Sequence, residues 1–409
     1  MTPFKPIVSS RNTATLIDNK LYILGGYDDS GTIPVGKEFF YLDLSVPFNT
    51  QNLLWHDLSN INIIQSIVAA TSVNGGINNN TLIMYGGRNL TKIENLALVY
   101  MFDTQSNSWS KIVEDSYVSR KRSLSAVVDY DRKMYLFGGW LINNEYTNDM
   151  FILDTINLSW RIGSSLNAPV PMINYGATLL PNKNIIYIGG MIGSEKKNES
   201  LALNDVYLYD TINDKWSIKK TSGPSIPSKR FGLSVVLGLD GKQVIIFGGK
   251  ENTIINPKKS LYNLNINTFE WSIPNVSGGI SKSRYFHKAH VIGKYMVISF
   301  GMGYDKSVES DILLLDINNN NEYKWTTIFD PSTPPSPSSP FLPSLRPSTN
   351  PKTLSRIIPA AMAGAIIGSL FGVILLSFGS YFLYKWSKNN QNQKHITRTI
   401  LIPHSYSNC

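Results

Sequence analysis

Two histidines, His287 and His290, are the nearest approach to a metal pair in this 409-residue chain. Side chains alternate faces along a strand, so positions three apart point opposite ways and do not converge on one ion. His56 stands alone in a turn. The single cysteine, Cys409, is the last residue; it is not placed for a prenylation box, and it leaves no disulfide framework. No Ser/His/Asp set, phosphate loop or paired-carboxylate spacing recurs. Asp43, Asp103, Asp154, Asp210 and Asp316 do recur. Each ends an apolar run and reads as a turn former, because Asp bonds its own local backbone. The expectation is therefore no catalytic residue, no metal and no cofactor, and a protein that recognises rather than transforms.

The formal charge is +9. Residues 330–409 carry seven Lys/Arg against one acid, leaving 31 cations against 28 acids in residues 1–329. A near-neutral domain does not point to nucleic acid.

The recurring aspartates belong to a larger repeat. Gly pairs stand at Gly25-Gly26, Gly86-Gly87, Gly138-Gly139, Gly189-Gly190 and Gly248-Gly249, with a sixth copy read as Gly301-Met302-Gly303. Trp55, Trp109, Trp160, Trp216, Trp271 and Trp325 follow at intervals of 54, 51, 56, 55 and 54 residues. A period of this length marks stacked repeat units. Each unit reads as four short strands separated by turns, the pattern of a propeller blade. One blade cannot cover both of its faces, but neighbours around an axis can. The Gly pair should stand where φ is positive or backbone approaches closely, and the Trp should supply apolar area between blades. Arg11, Arg122, Arg230 and Arg284 each precede a first strand. From Asp or Asn to Trp the gap is six residues in units two to five, twelve in unit one and nine in unit six.

Gly-Gly, then Tyr-x-x-Asp, then Trp six residues on resembles the kelch repeat, over roughly residues 10 to 329. The resemblance implies an all-β fold, a six-bladed kelch β-propeller, with blades at about 10–60, 61–115, 116–165, 166–222, 223–277 and 278–329. Some kelch propellers resemble galactose oxidase, whose copper needs Tyr and His ligands and a Cys crosslinked to a Tyr. With Cys409 as the only cysteine, that cofactor is not implied here. Lys5-Pro-Ile-Val8 is a candidate extra edge strand, and the means of closing the ring stays open.

Residues 330–356 read as a Pro/Ser/Thr-rich stalk, with eight Pro and eight Ser/Thr in 331–351. Residues 357–384 are 28 positions without a charge, long enough for one transmembrane α-helix. Gly364, Gly368 and Gly372 recur every four residues and would let two such helices pack closely. Residues 385–409 form a short basic tail, suited to anionic lipid. In outline the chain resembles the single-pass kelch proteins of fungi. Cation balance and the sequons Asn79, Asn89, Asn157, Asn198 and Asn275 lean toward an extracytoplasmic propeller with a cytoplasmic tail. Met1–Ser10 holds no apolar stretch of signal-peptide length, so a tail-anchored cytosolic scaffold is the alternative.

The loops after the Gly pairs should share one rim and carry the binding residues. Arg88, Trp140, Tyr146, Lys196, Lys197, Lys250 and Tyr304 are the candidates, with Lys258 and Lys259 adding charge. The expected partner is a protein or a glycan, with a homodimer through the helix as a further expectation. A carbohydrate-acting propeller enzyme lacking the copper cofactor is the remaining alternative.

Overall fold

A computed structural model of the chain describes residues 3–89, 97–112, 117–194, 197–251, 255–280, 282–304 and 310–332. Two compact units divide the chain, Met1–Ser344 and Leu345–Cys409, and every described residue lies in the first. The greater part of the predicted stalk, the segment 357–384 with Gly364, Gly368 and Gly372, and the tail with Cys409 lie outside the described residues. Among the described residues no helix is long and apolar enough to cross a membrane.

The described chain is all-β, with one 3-10 turn at Pro257–Lys259 as its sole helical element. Six sheets have four or more strands. Sheet one joins Thr13–Ile17, Lys20–Leu24, Phe39–Asp43 and Trp55–Asp57. Sheet two joins Thr71–Gly75, Thr81–Tyr85, Val99–Asp103 and Ser108–Ile112. Sheet three joins Val127–Val128, Lys133–Trp140, Tyr146–Asp154 and Ser159–Gly163. In sheet four the strands are Gly176–Leu179, Asn184–Ile188, Asp205–Asp210 and Lys215–Lys220, and in sheet five Ser234–Leu237, Gln243–Phe247, Leu261–Asn265 and Trp271–Ser272. Lys288–Ile292, Tyr295–Ser299, Ile312–Asp316 and Tyr323–Thr326 make sheet six, to which Val276–Ser277 adds a parallel fifth strand.

Burial explains the strand sequences. The second strands, such as Gln243–Phe247 (QVIIF), are covered on both faces and read as continuous apolar runs. The outermost strands, such as Lys215–Lys220, expose all but Trp216. Each sheet is therefore buried at its middle and polar at its rim, as expected of a blade flanked by two others.

The first strands follow one another in a cycle. Thr13–Ile17 packs beside Thr71–Gly75, which packs beside Val127–Val128, and so on through Gly176–Leu179, Ser234–Leu237 and Lys288–Ile292 back to Thr13–Ile17. One residue ahead of each first strand stands in the left-handed region: Arg11, Ala69, Ser123, Asn174, Gly232 and Phe286, with φ from 53° to 66°. Their amides form a closed hydrogen-bonded ring. Ala69 N donates to Arg11 O (3.0 Å), Ser123 to Ala69 (2.9 Å), Asn174 to Ser123 (2.7 Å), Gly232 to Asn174 (2.8 Å), Phe286 to Gly232 (2.8 Å) and Arg11 to Phe286 (3.1 Å). The left-handed turn aims each N–H at the preceding sheet, and the bond offsets the cost of that conformation.

A second set of bonds links sheets at the Gly pairs. Gly26 N donates to Ile67 O, Gly87 to Lys121 O, Gly190 to Arg230 O and Gly249 to Arg284 O, all within 2.8–2.9 Å. Each acceptor belongs to the next sheet's entry. A Cβ on Gly86 would fall 2.1 Å from Lys121 O, and one on Gly248 2.2 Å from Arg284 O. Both glycines of these pairs have positive φ. The sixth pair is not Gly301-Met302-Gly303. Phe300 (φ 54°) and Gly301 (φ 98°) occupy its two positions, and Gly301 N donates to Ser9 O at 3.0 Å. Here a Phe replaces the first glycine, and its ring fills the seam against Phe40 and Trp55.

Each tryptophan of the repeat for which a ring contact across a seam is recorded faces the preceding sheet. Trp109 meets Phe39, Trp160 meets Tyr85, Trp216 meets Phe137 and Trp325 meets Phe247, with ring centroids 4.5–6.0 Å apart. Trp271 Nε1 donates across the same kind of seam to Leu203 O at 3.1 Å. The recurring aspartates and Asn265 accept amides two or three residues on, closing the turns to the fourth strands.

The ring is locked by the irregular turn of unit one. Its twelve-residue gap contains the strand Phe48–Asn49, which pairs with Ile328–Phe329 beyond sheet six. The Phe48 and Phe329 rings stack at 4.8 Å, and Thr50 N donates to Thr327 O at 2.8 Å. Lys5-Pro-Ile-Val8 forms no strand; Glu38 holds it by accepting from Ile7 N at 3.0 Å.

Candidate interaction face

The residue after each Gly pair bridges to the residue before each ring residue. These pairs are Ser10 with Tyr27, Val68 with Arg88, Arg122 with Trp140, Ile173 with Met191, Phe231 with Lys250 and Tyr285 with Met302. The antiparallel pairing puts the start of each first strand and the end of each second strand at one end of every sheet. The six pairs consequently crown one end of the axis, outside the amide ring.

Sheet three extends this crown. Lys133–Trp140 and Tyr146–Asp154 run past their neighbours, with a bulge between Phe137 and Gly139, so that Trp140 pairs with Tyr146. Bulges re-aim side chains at sheet ends in this way. The Trp140 and Tyr146 rings meet edge-on at 5.4 Å. The Arg122 guanidinium covers the Trp140 face at 3.4 Å, and Tyr146 donates its hydroxyl to Asn198 Oδ1 at 2.9 Å. Trp140 Nε1 has no acceptor among the described residues. At the hairpin tip, Ile142 is 93% exposed.

Other candidates separate by environment. Arg88 is exposed, while Lys250 is half-buried with its ammonium 5.1 Å from the Tyr285 ring. Tyr304 packs beneath the Arg284 guanidinium at 3.8 Å and donates to Asp311, so its ring supports a buried cation. Lys258 and Lys259 are exposed on the 3-10 turn. Lys196 and the side chain of Lys197 lie outside the described residues. Among the sequons, Asn157, Asn198 and Asn275 are exposed, while Asn79 and Asn89 are half-buried.

The arginines aligned in sequence are not equivalent in space. Arg230 and Arg284 are fully buried and donate to backbone carbonyls, Arg230 to Gly248 and Lys259, Arg284 to Phe300 and Asp311. In sheet three that position belongs to Lys121, ion-paired with Asp149. Arg122 is one residue later, on the crown. Arg11 is two later, in the amide ring, with its guanidinium 3.6 Å above the Phe286 ring. Burial lowers the Arg11 pKa to about 10. Sequence reading missed this central cluster, Arg11 with Phe286, because the six ring residues share a conformation and not a residue type. It also passed over Ile142 and Ile33 (62% exposed), which an apolar residue inside a polar loop could have signalled.

His287 and His290 turn toward opposite neighbours. His287 Nε2 meets Ser234 Oγ of sheet five at 2.9 Å, while His290 contacts the Ala14 backbone of sheet one. Burial pushes their pKa values down to about 3 and about 4. His56 stacks on Tyr41 at 4.6 Å. Among the described residues no three His, Cys, Asp or Glu side chains cluster as a metal site.

Repeating sheets set about one axis, with variable side chains at one end, define a repeat-built β protein. The model of the KLHDC2/KLHL20/DRC7 Kelch-repeats domain matches residues 11–249 and 191–341, and the chain belongs to the kelch-repeat family. Host cell factor of Drosophila melanogaster is 26% identical over 236 residues, 54% of this chain and 15% of that protein. Kelch domain-containing protein 3 of Bos taurus is 29% identical over 193 residues, 44% of this chain and 48% of that protein. Acyl-CoA-binding domain-containing protein 5 of Arabidopsis thaliana is 28% identical over 242 residues, 56% of this chain and 35% of that protein. The chain spans less than half the length of these relatives.

Proposed function

We propose that the six blade-like sheets are one six-bladed propeller and that the protein is a non-enzymatic interaction module, binding a protein or glycan through its crown. The observation that carries this reading is the raised tip of sheet three. The Trp140 indole is braced under the Arg122 guanidinium, and Ile142 at the same hairpin's tip stands 93% exposed. Aromatic and Arg side chains on a rigid support are the usual anchors of an interface. Arg88 and Lys250 add positive charge at equivalent positions of sheets two and five.

The test replaces Trp140 and Ile142 by Ala and reverses Arg88 and Lys250 to Glu, separately from a control on the opposite rim, Ile156→Ala. Partners crosslinked to the wild-type protein in its own cells should be lost from the crown variants, with the thermal midpoint held within about 2 °C. Undiminished crosslinking to the same partners would overturn the reading.

We propose further that residues 357–384 anchor the chain in a bilayer as a single span, with the propeller extracytoplasmic and Gly364, Gly368 and Gly372 pairing two copies. Twenty-eight consecutive uncharged residues support the span. Glycosidase treatment of the protein from its own cells should then increase its mobility, through Asn157, Asn198 or Asn275. If all five sequons prove unmodified, the tail-anchored cytosolic scaffold becomes the better reading.

A further inference from the structure

Inside the amide ring the axis holds two adjoining cavities, of about 50 and 140 Å³, which share Ser125, Leu233, His287 and Lys288. Arg11 and Phe286 lie at the crown end, His290 and Thr71 at the inner one. No Asp or Glu lines either cavity. Lys288, on the innermost strand of sheet six, lines both, yet no carboxylate lies within ion-pair distance of its ammonium among the described residues. The cation near enough to act on it is Arg11, which repels it. Lys288 is half-buried, and an ammonium in an acid-free cavity leaves a charge that a small anion can balance.

Thr71 adds a second donor to this lining. Thr71 Oγ1 accepts from Ala126 N at 2.9 Å, which leaves its hydroxyl proton free to face the cavity. Nδ1 of His287 and Nδ1 of His290 are buried without partners, and a neutral imidazole can carry its proton on either nitrogen. Buried polar atoms without partners are rare and call for an explanation such as an unseen ion or water. A volume of 140 Å³ matches about four or five waters of liquid. It therefore admits a tetrahedral ion with a water beside it.

We propose that the axial cavity binds a small inorganic oxyanion of the phosphate or sulfate class, with Lys288 as its counter-ion and Arg11 at its mouth. Lys288 on sheet six and Thr71 on sheet two bring donors to the cavity from different sheets, and the spread oxygens of a tetrahedral ion suit such an arrangement. The site is separate from the crown contacts: its lining residues are on the axis, and none is among the crown residues named above.

The test is thermal unfolding of the full chain titrated with inorganic phosphate at pH 7, against sodium chloride of equal ionic strength. The wild-type midpoint should rise saturably, by about 3–6 °C at a hundredfold excess over Kd. Lys288→Met should lose this response, while Lys258→Ala on the outer surface keeps it. An equal response to chloride, or a Lys288→Met response like that of the wild type, overturns the proposal. Should Lys288→Met fail to fold, crystals of the wild-type chain soaked in selenate decide. Anomalous density beside Lys288 Nζ is expected; selenate confined to the outer surface overturns it.

Discussion

A single methyl group tests the seam between sheets two and three. Gly86 and Gly36 have nearly the same left-handed φ, 72° and 78°, but a Cβ at Gly86 meets Lys121 O while one at Gly36 meets nothing. Gly36→Ala should thus cost about 1 kcal/mol, the price of the backbone conformation alone. Gly86→Ala must also push sheet three away and should cost about 3 kcal/mol or more in urea unfolding. The buried imidazoles set an acid limit. With folded pKa values near 3 and 4 against 6.5 for an ordinary imidazole, the unfolded chain binds more protons throughout that window. Stability from His287 and His290 is therefore complete above about pH 6.5 and falls as pH drops toward 4. The urea midpoint should track this fall, and His290→Asn should flatten it. Asp43, Asp103 and Asp210 act with the same sign at lower pH, because their own turns hold their carboxylates below the usual range. Lys288 acts higher: its pKa is pushed down to about 8, mainly by burial, so stability rises again between about pH 8 and 10.5. At this scale the sequence disclosed the regular residues and hid the exceptions. Five Gly pairs were legible because only glycine fits. Phe300 was not, since a nearby Gly301-Met302-Gly303 imitates the missing pair.

Among the elements, the irregular lengths carried the most information. The strands of sheets two to five follow the six-residue spacing from Asp or Asn to Trp, and their order could be read directly. The twelve residues from Asp43 to Trp55 looked like a longer turn, yet they hold the strand that closes the ring. No local pattern announces it, because Phe48–Asn49 is too short for a period and its partner lies 280 residues away. Phe329 is 1% exposed in that pair, and Ile328 beside it is 51% exposed. Phe329→Ala should therefore cost about 3 kcal/mol and speed amide exchange at Thr50, whereas Ile328→Ala should stay within about 0.5 kcal/mol. Equal effects would mean that the pair is incidental to closure. The hairpin of sheet three teaches the same lesson at the crown. Trp140 and Tyr146 stood out in the sequence as aromatic loop residues, but the bulge after Phe137 that pairs them edge-on was not legible.

For the whole molecule, the kelch pattern disclosed the family and the all-β class. The cycle of amides from Arg11 round to Phe286 was beyond reach, since Arg, Ala, Ser, Asn, Gly and Phe have no property in common except their φ. That cycle leaves every sheet dependent on two neighbours, so no subset of sheets has both faces covered. Residues 3–332 should then unfold in one step, with tryptophan fluorescence and far-UV circular dichroism giving coincident urea curves. Two separated transitions would show that part of the ring stands alone. The closure pair has a mechanical consequence as well. Five of the six seams are crossed by continuous chain, but the seam between sheets six and one is held by the short pairing of Phe48–Asn49 with Ile328–Phe329, by the amide bonds of Arg11 and Gly301, and by the Phe300 ring against Phe40 and Trp55. The chain runs on from Phe329 to Cys409. Tension applied along that extension reaches Phe329 before it reaches any sheet, so this pair is the fuse of the molecule: under load it parts first, with the six sheets still intact.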